Sequence, residues 1–170
     1  MDKRKVIKAA LLGLGTVGGG VYKLAARVKD EMVYKTGAEL EISKILVRSL
    51  GKKREGVDPA LLTDSWREIL EDPEISLVIE LMGGIEPART YVTEALKAGK
   101  NVVTANKDLL AEHGGELLNL AQEHGCDLMF EAAVAGAIPI IRSLKQGLSG
   151  GLITEVAGIV NGTTNYILTK

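Results

Sequence analysis

The chain has 170 residues, 46% of them hydrophobic, enough for one domain with a full core and too few for two domains of ordinary size. Twenty-one basic residues against 22 acidic ones leave a formal net charge of −1, so there is no electrostatic footprint for nucleic acid or an anionic membrane, and the expected partners are small molecules. A lone cysteine, Cys126, excludes an internal disulfide and a cysteine-rich metal site, and the apolar run behind Lys3-Arg4-Lys5 is too short for a signal peptide or membrane span, which fits a soluble cytoplasmic protein.

Val6 to Leu12 reads as a buried strand. Gly13, Gly15 and Gly18 follow at GxGxxG spacing, and then Val21, Leu24, Ala25 and Val28 recur at helical intervals, the order of a dinucleotide-binding strand, turn and helix. Gly13 permits a sharp turn, Gly15 leaves room for a pyrophosphate, and Gly18 lets the helix pack close to the sheet. A helix starting near Thr16 aims free N–H groups and a positive dipole end at the phosphates. Its pattern runs past Lys29 and Asp30 toward Tyr34, so one long helix is expected, ending near Gly37. The second strand, Glu41 to Val47, closes on the basic stretch Arg48-Ser49-Leu50-Gly51-Lys52-Lys53-Arg54. An acidic residue there would accept from a ribose 2′-OH, whereas a basic one accommodates a 2′-phosphate, so Arg48 with Lys52, Lys53 or Arg54 favours NADP over NAD.

A short strand at Leu61 to Thr63 precedes a helix capped by Asp64 or Ser65 that covers Trp66, Ile69 and Leu70 and ends by Asp72-Pro73, with Trp66 read as a core residue. Leu77 to Met82 is the next strand, and Pro87 opens a helix that ends at Gly99. The pattern predicts an α/β fold, a doubly wound and mostly parallel sheet of order 3-2-1-4-5-6, in which the third long strand lies beside the first. Met82, Gly83 and Gly84 then line the nicotinamide side. Glu80 stands out in so apolar a run, because a buried carboxylate needs hydrogen-bond donors. Asn101 to Thr104 is a strand whose end places Lys107 at the carboxyl edge of the sheet, where ligands bind in such folds. A helix through Leu117, Leu118, Leu120 and Ala121 ends at Gly125, with His113 and His124 expected on the surface near helix ends and Cys126 in the core. Asp127 to Phe130 reads as a strand, Glu131 to Ala137 as a small-residue loop, Pro139 to Leu148 as a helix, Thr154 to Val160 as a further strand, and Tyr166 to Lys170 as a helix that ends without a cap, as in a piece of a longer protein.

Five segments carry a family resemblance: Gly-Leu-Gly-Thr-Val-Gly at 13–18, Glu-Leu-Met-Gly-Gly at 80–84, Val-Thr-Ala-Asn-Lys at 103–107, Glu-Ala-Ala-Val-Ala-Gly-Ala-Ile-Pro at 131–139 and Gly-Ile-Val-Asn-Gly-Thr-Thr-Asn-Tyr at 158–166. With them the chain resembles the nucleotide-binding, Rossmann-like part of homoserine dehydrogenases. The resemblance implies NAD(P)-dependent reduction of L-aspartate 4-semialdehyde to L-homoserine, on the route to threonine, isoleucine and methionine. It also implies that Leu14, Thr16 and Val17 join the glycines at the pyrophosphate, that Thr104 and Lys107 lie near nicotinamide and substrate, and that Gly162 and Thr163 contact substrate. A sodium-like cation is implied at Glu131, Val134, Gly136 and Ile138; without the resemblance, that loop reads as a tight turn packed under the next helix.

By the same resemblance, residues 1–150 form the dinucleotide-binding domain and 151–170 begin a catalytic and dimer-forming domain. The family's proton-donating lysine and its homodimer contacts belong to regions that this sequence does not contain, so the chain is expected to be inactive alone. Two other readings stay open: a stand-alone NAD(P)-sensing module, and another small-carbonyl oxidoreductase such as an aspartate-semialdehyde or aspartate dehydrogenase.

Overall fold

Apolar runs alternating with amphipathic stretches build a sheet whose two faces are both covered by helices. The computed structural model describes residues 5–136, 138–148, 150–159 and 162–170, with only the backbone of 162–164. Its strands are β1 (Lys5–Leu12), β2 (Ala38–Leu46), β3 (Leu62–Thr63), β4 (Ile75–Glu80), β5 (Asn101–Thr104) and β6 (Leu128–Met129). They lie in the order β3-β2-β1-β4-β5-β6 with every neighbouring pair parallel, so the expected doubly wound topology holds.

Because side chains alternate across a strand, β1 serves two cores at once. Ala10 and Leu12 face a cluster with Trp66, Ile69, Val92, Leu96, Leu109 and Leu117, drawn in large part from α3 (Trp66–Leu70), α4 (Ala88–Lys97) and α5 (Lys107–Glu123). Ala9 and Leu11 face Ile42, Ile45 and Ile79, closed over by Val21 and Ala25 of α1 (Thr16–Arg27). Trp66 is a core residue, as expected; it stacks on Tyr91 with centroids 4.7 Å apart and donates to Glu94.

Two expectations need correction. The long first helix is two helices: α1 stops at Arg27, Val28 leaves helical geometry (φ −98°, ψ 13°), and α2 (Lys29–Thr36) follows, capped by Gly37 at φ 71°. The apolar stripe ends at Val28 and α2 has no buried residue, so packing does not hold α2 on the axis of α1, whereas a 2.6 Å ion pair from Lys29 to Glu39 ties it to β2. The helix expected over 139–148 is present over 140–147, as α6 (Ile140–Arg142) continued by a π-helix over Ser143–Gly147. There the Ser143 hydroxyl donates to the Pro139 carbonyl at 2.6 Å, competing with the regular ladder. The strand expected at Thr154–Val160 is absent from 154–159, and Val160 lies outside the described residues. A strand needs a neighbour for its backbone groups, and the sheet ends at β6; Leu152, Val156 and Ile159 are 91%, 65% and 76% exposed. The last helix, α7 (Gly162–Thr169), begins earlier than Tyr166.

Lys100 is buried at the opposite edge of the sheet, where its ammonium donates to the carbonyls of Asp72 (2.6 Å) and Ile75 (2.7 Å). Burial pushes its pKa down, against the pull of Asp72. Lys100→Met keeps the stem and removes both bonds, and is expected to cost roughly 2 kcal/mol in urea denaturation; an unchanged midpoint would show that water replaces the ammonium without loss.

Candidate dinucleotide site

The turn after β1 is pinned on both sides. The N–H of Gly13 donates to Leu46 at the end of β2 (3.0 Å), and the N–H of Leu81, just past β4, donates to Leu12 (2.9 Å). Gly13 sits at φ +94°, and a Cβ on it would lie 3.1 Å from the Leu81 carbonyl oxygen. At Gly18 a Cβ would fall 2.1 Å from the carbonyl oxygen of Gly13, so the first turn of α1 rests directly on the glycine turn. Around Gly15 there is open space, with no atom within 4 Å of the missing Cβ. Thr16 and Val17 are exposed, no side chain caps α1, and its first turn contains no acidic residue. An uncapped helix N-terminus beside a backbone open to close approach fits the pyrophosphate of a dinucleotide, which needs N–H donors, a positive dipole end and no side chain in its seat.

The structure brings the flanking candidates to this same carboxyl edge. Arg48 lies two residues past β2, after the buried Val47; it is exposed and, among the described residues, without an ion pair, as are Lys52 and Lys53. Arg54 instead donates to the carbonyls of Ser49 (3.0 Å) and Lys52 (2.8 Å), which folds the basic loop on itself. On the other side of the turn, Met82 leads into Gly83 and Gly84, at φ 72° and 73°.

Lys107 is the first residue of α5, exposed, with no ion-pair partner among the described residues. Asn106 caps that helix by accepting from the Leu109 N–H at 3.1 Å, and its amide donates to the Gly84 carbonyl at 2.5 Å. Thr104 is fully buried, and its hydroxyl donates inward to Glu80 (2.6 Å), so its side chain is committed within the protein. Sequence reasoning noted Glu80 without a role and passed over Asn106 as a cap; the available signals were a carboxylate in an apolar run and an Asn immediately before a helical pattern.

Glu131 accepts from the backbone N–H groups of Ile141 (2.9 Å) and Arg142 (2.8 Å), so its carboxylate ties its loop to α6. In that loop Ala135 lies at φ 56° and Gly136 at φ 26°; Ile138 is exposed and its carbonyl accepts from Ile140. No group of three or more His, Cys, Asp or Glu side chains among the described residues could hold a metal. Gly162 and Thr163 begin α7, and their side chains lie outside the described residues.

His113 is not near a helix end; it lies inside α5, with Nδ1 3.4 Å from Glu116. Cys126 precedes β6 at the amino edge of the sheet, half-buried against the Leu96 and His124 carbonyls, and burial pushes its thiol pKa up, the opposite of an activated nucleophile. No described helix is long and apolar enough to cross a membrane.

Residues 13–131 match the sequence family "Homoserine dehydrogenase, NAD binding domain", and residues 139–170 match "Homoserine dehydrogenase". The chain is 50% identical over 167 residues to the homoserine dehydrogenase of Bacillus subtilis, covering 98% of this chain and 39% of that protein. Among solved structures it superposes on a homoserine dehydrogenase from Thiobacillus denitrificans with a TM-score of 0.87 at 47% identity, over 96% of this chain and 38% of that one. A hyperthermophilic archaeal homoserine dehydrogenase in complex with NADPH gives a TM-score of 0.68 at 26% identity, over 85% of this chain and 50% of that one.

Proposed function

Because this chain belongs to the homoserine dehydrogenase family, we propose that it binds NADP(H) in preference to NAD(H) at the carboxyl edge of β1, β2 and β4 and presents the nicotinamide for reduction of L-aspartate 4-semialdehyde to L-homoserine. The chain spans 39% of the length of its Bacillus subtilis relative. We therefore assign residues 1–150 to cofactor binding and 151–170 to the start of a catalytic and dimer-forming part, without which turnover is not expected. In this reading the protein is a homodimeric cytoplasmic enzyme on the route to threonine, isoleucine and methionine.

The observation that carries the reading is the open backbone at Gly15 beside the uncapped end of α1, flanked by Arg48 and by Met82-Gly83-Gly84. Gly13, Leu14, Gly15, Thr16, Val17 and Gly18 hold the pyrophosphate by backbone N–H groups, and Arg48 meets the 2′-phosphate. When bound, NADPH supplies the hydride. Met82, Gly83, Gly84 and the main chain of Thr104 shape the nicotinamide end. Lys107 orients the aldehyde oxygen and stabilises the negative charge that develops on it as hydride arrives. Gly162 and Thr163 contact substrate, and a sodium-like cation is held by the loop of Glu131, Val134, Gly136 and Ile138. The positive φ of Ala135, which is not glycine, supports a functional constraint on that loop.

Calorimetric titration with NADPH and with NADH tests the cofactor site. Binding of both, tighter for NADPH, is expected; binding of neither to the full-length protein would overturn the assignment. Arg48→Ala is expected to weaken NADPH about ten-fold through loss of a charge-assisted contact and to leave NADH within about two-fold. Equal weakening of both would remove Arg48 from the 2′-phosphate.

A further inference from the structure

Among the described residues, five polar or charged side chains are buried, and three of them, Glu80, Thr104 and Asn106, form one connected group at the nicotinamide end of the site. Glu80 Oε1 accepts from the Met82 N–H (2.8 Å), and its Oε2 accepts from the Thr104 hydroxyl (2.6 Å). Thr104 Oγ1 in turn accepts from the Asn106 N–H (3.0 Å), and the Asn106 amide donates to Gly84. The hydrogen bonds and the chain between them close a ring around the turn Met82-Gly83-Gly84.

The backbone N–H groups of Met82 and Asn106 can only donate; Thr104 accepts from the second and passes its own proton to residue 80, so both oxygens of that side chain are used as acceptors. What the ring achieves is to fix two loops against each other: the turn 82–84 after β4 and the start of α5 that carries Lys107.

We propose that Glu80 is a positioning residue, holding Met82-Gly83-Gly84 and Lys107 in fixed mutual geometry through Met82, Thr104 and Asn106. The proposal rests on the cofactor reading above and names a residue which that reading leaves without a role. Glu80 touches neither cofactor nor substrate; it acts through the groups it holds.

The test uses the full-length protein with Glu80→Gln, Thr104→Val and the pair together. Glutamine has one acceptor oxygen; with that oxygen on the Met82 N–H its NH2 faces the Thr104 hydroxyl, so the bond from Thr104 to residue 80 is lost as it stands and the hydroxyl proton is left without its acceptor, with almost no change in volume. Each single variant is expected to lower kcat about ten-fold and to weaken NADPH binding several-fold at a temperature where circular dichroism shows it folded, and the double variant to be no worse than about either single one, because all three break the same ring. Thr104→Ser keeps the hydroxyl and is expected to recover most of the rate lost in Thr104→Val. Unchanged kcat and NADPH affinity in folded Glu80→Gln and Thr104→Val, whatever the melting temperature, would overturn the proposal; if Glu80→Gln does not fold, Thr104→Val and Thr104→Ser decide alone. Failure of the wild-type protein to bind either dinucleotide would instead overturn the cofactor reading, so the two failures are distinguishable.

Discussion

Gly18→Ala is expected to destabilise the chain by at least about 3 kcal/mol, lowering the melting temperature by roughly 10 °C, while Gly15→Ala melts within a degree or two of wild type. The difference lies in what each new methyl group meets. At position 18 the Cβ would fall 2.1 Å from the Gly13 carbonyl oxygen, a backbone atom that cannot rotate away, so α1 must lift off the turn and uncover Leu11 and Ile45 in the core beneath. At position 15 the Cβ meets nothing within 4 Å, and the backbone there, at φ −82°, suits any residue. The methyl group of Gly15→Ala would instead occupy the pyrophosphate's seat, and NADPH affinity is expected to fall about a hundred-fold. Thermal melts and calorimetric titration of both variants separate the two roles. A wild-type melt for Gly18→Ala would mean that α1 does not bear on the turn, and undiminished binding by Gly15→Ala would place the phosphates elsewhere.

The second large effect is expected at Lys107, in the full-length protein. Lys107→Met should lower kcat by roughly a hundred-fold to a thousand-fold, the range found when one donor to a developing oxyanion is lost, with NADPH affinity within a few-fold of wild type. No loss of stability is expected, because the ammonium is exposed and has no ion-pair partner among the described residues. Lys107→Arg should recover only part of the rate, since a planar guanidinium does not reproduce a point donor at the same place. Steady-state kinetics with the aldehyde, beside a binding titration, is the measurement; a Lys107→Met protein with wild-type kcat would return this residue to the solvated surface.

Much of the fold was legible because it follows from periodicity and glycine. The apolar runs Val6–Leu12 and Leu77–Met82, the glycine spacing at 13, 15 and 18 and the helical repeats behind them each have a local cause, and together they imply a parallel sheet of order 3-2-1-4-5-6, which the structure has. The misreadings have non-local causes. Nothing local says that α2 leaves the axis of α1, because Lys29 through Thr36 is a good helical pattern whose direction is decided by its tie to β2. Thr154 to Ile159 has the composition of a strand and lacks a neighbour in this sheet. In the proposed site, the glycine turn, Arg48 and Lys107 are candidates that chemistry at known spacings puts forward. That Arg54 holds its own loop and that Thr104 turns inward could not be found this way, since each depends on where a carbonyl or a carboxylate from another segment lies.

The sequence by itself determined the glycine turn after the first strand, the basic end of β2 and the family, because glycine placement, charge and residue pattern are properties of short stretches. Only the tertiary structure decided which glycine is structural and which is open, and that Glu80, Thr104 and Asn106 close one ring, because the 2.1 Å approach at Gly18 and the 2.6 Å bond from Thr104 to Glu80 exist only once parallel strands set distant residues side by side.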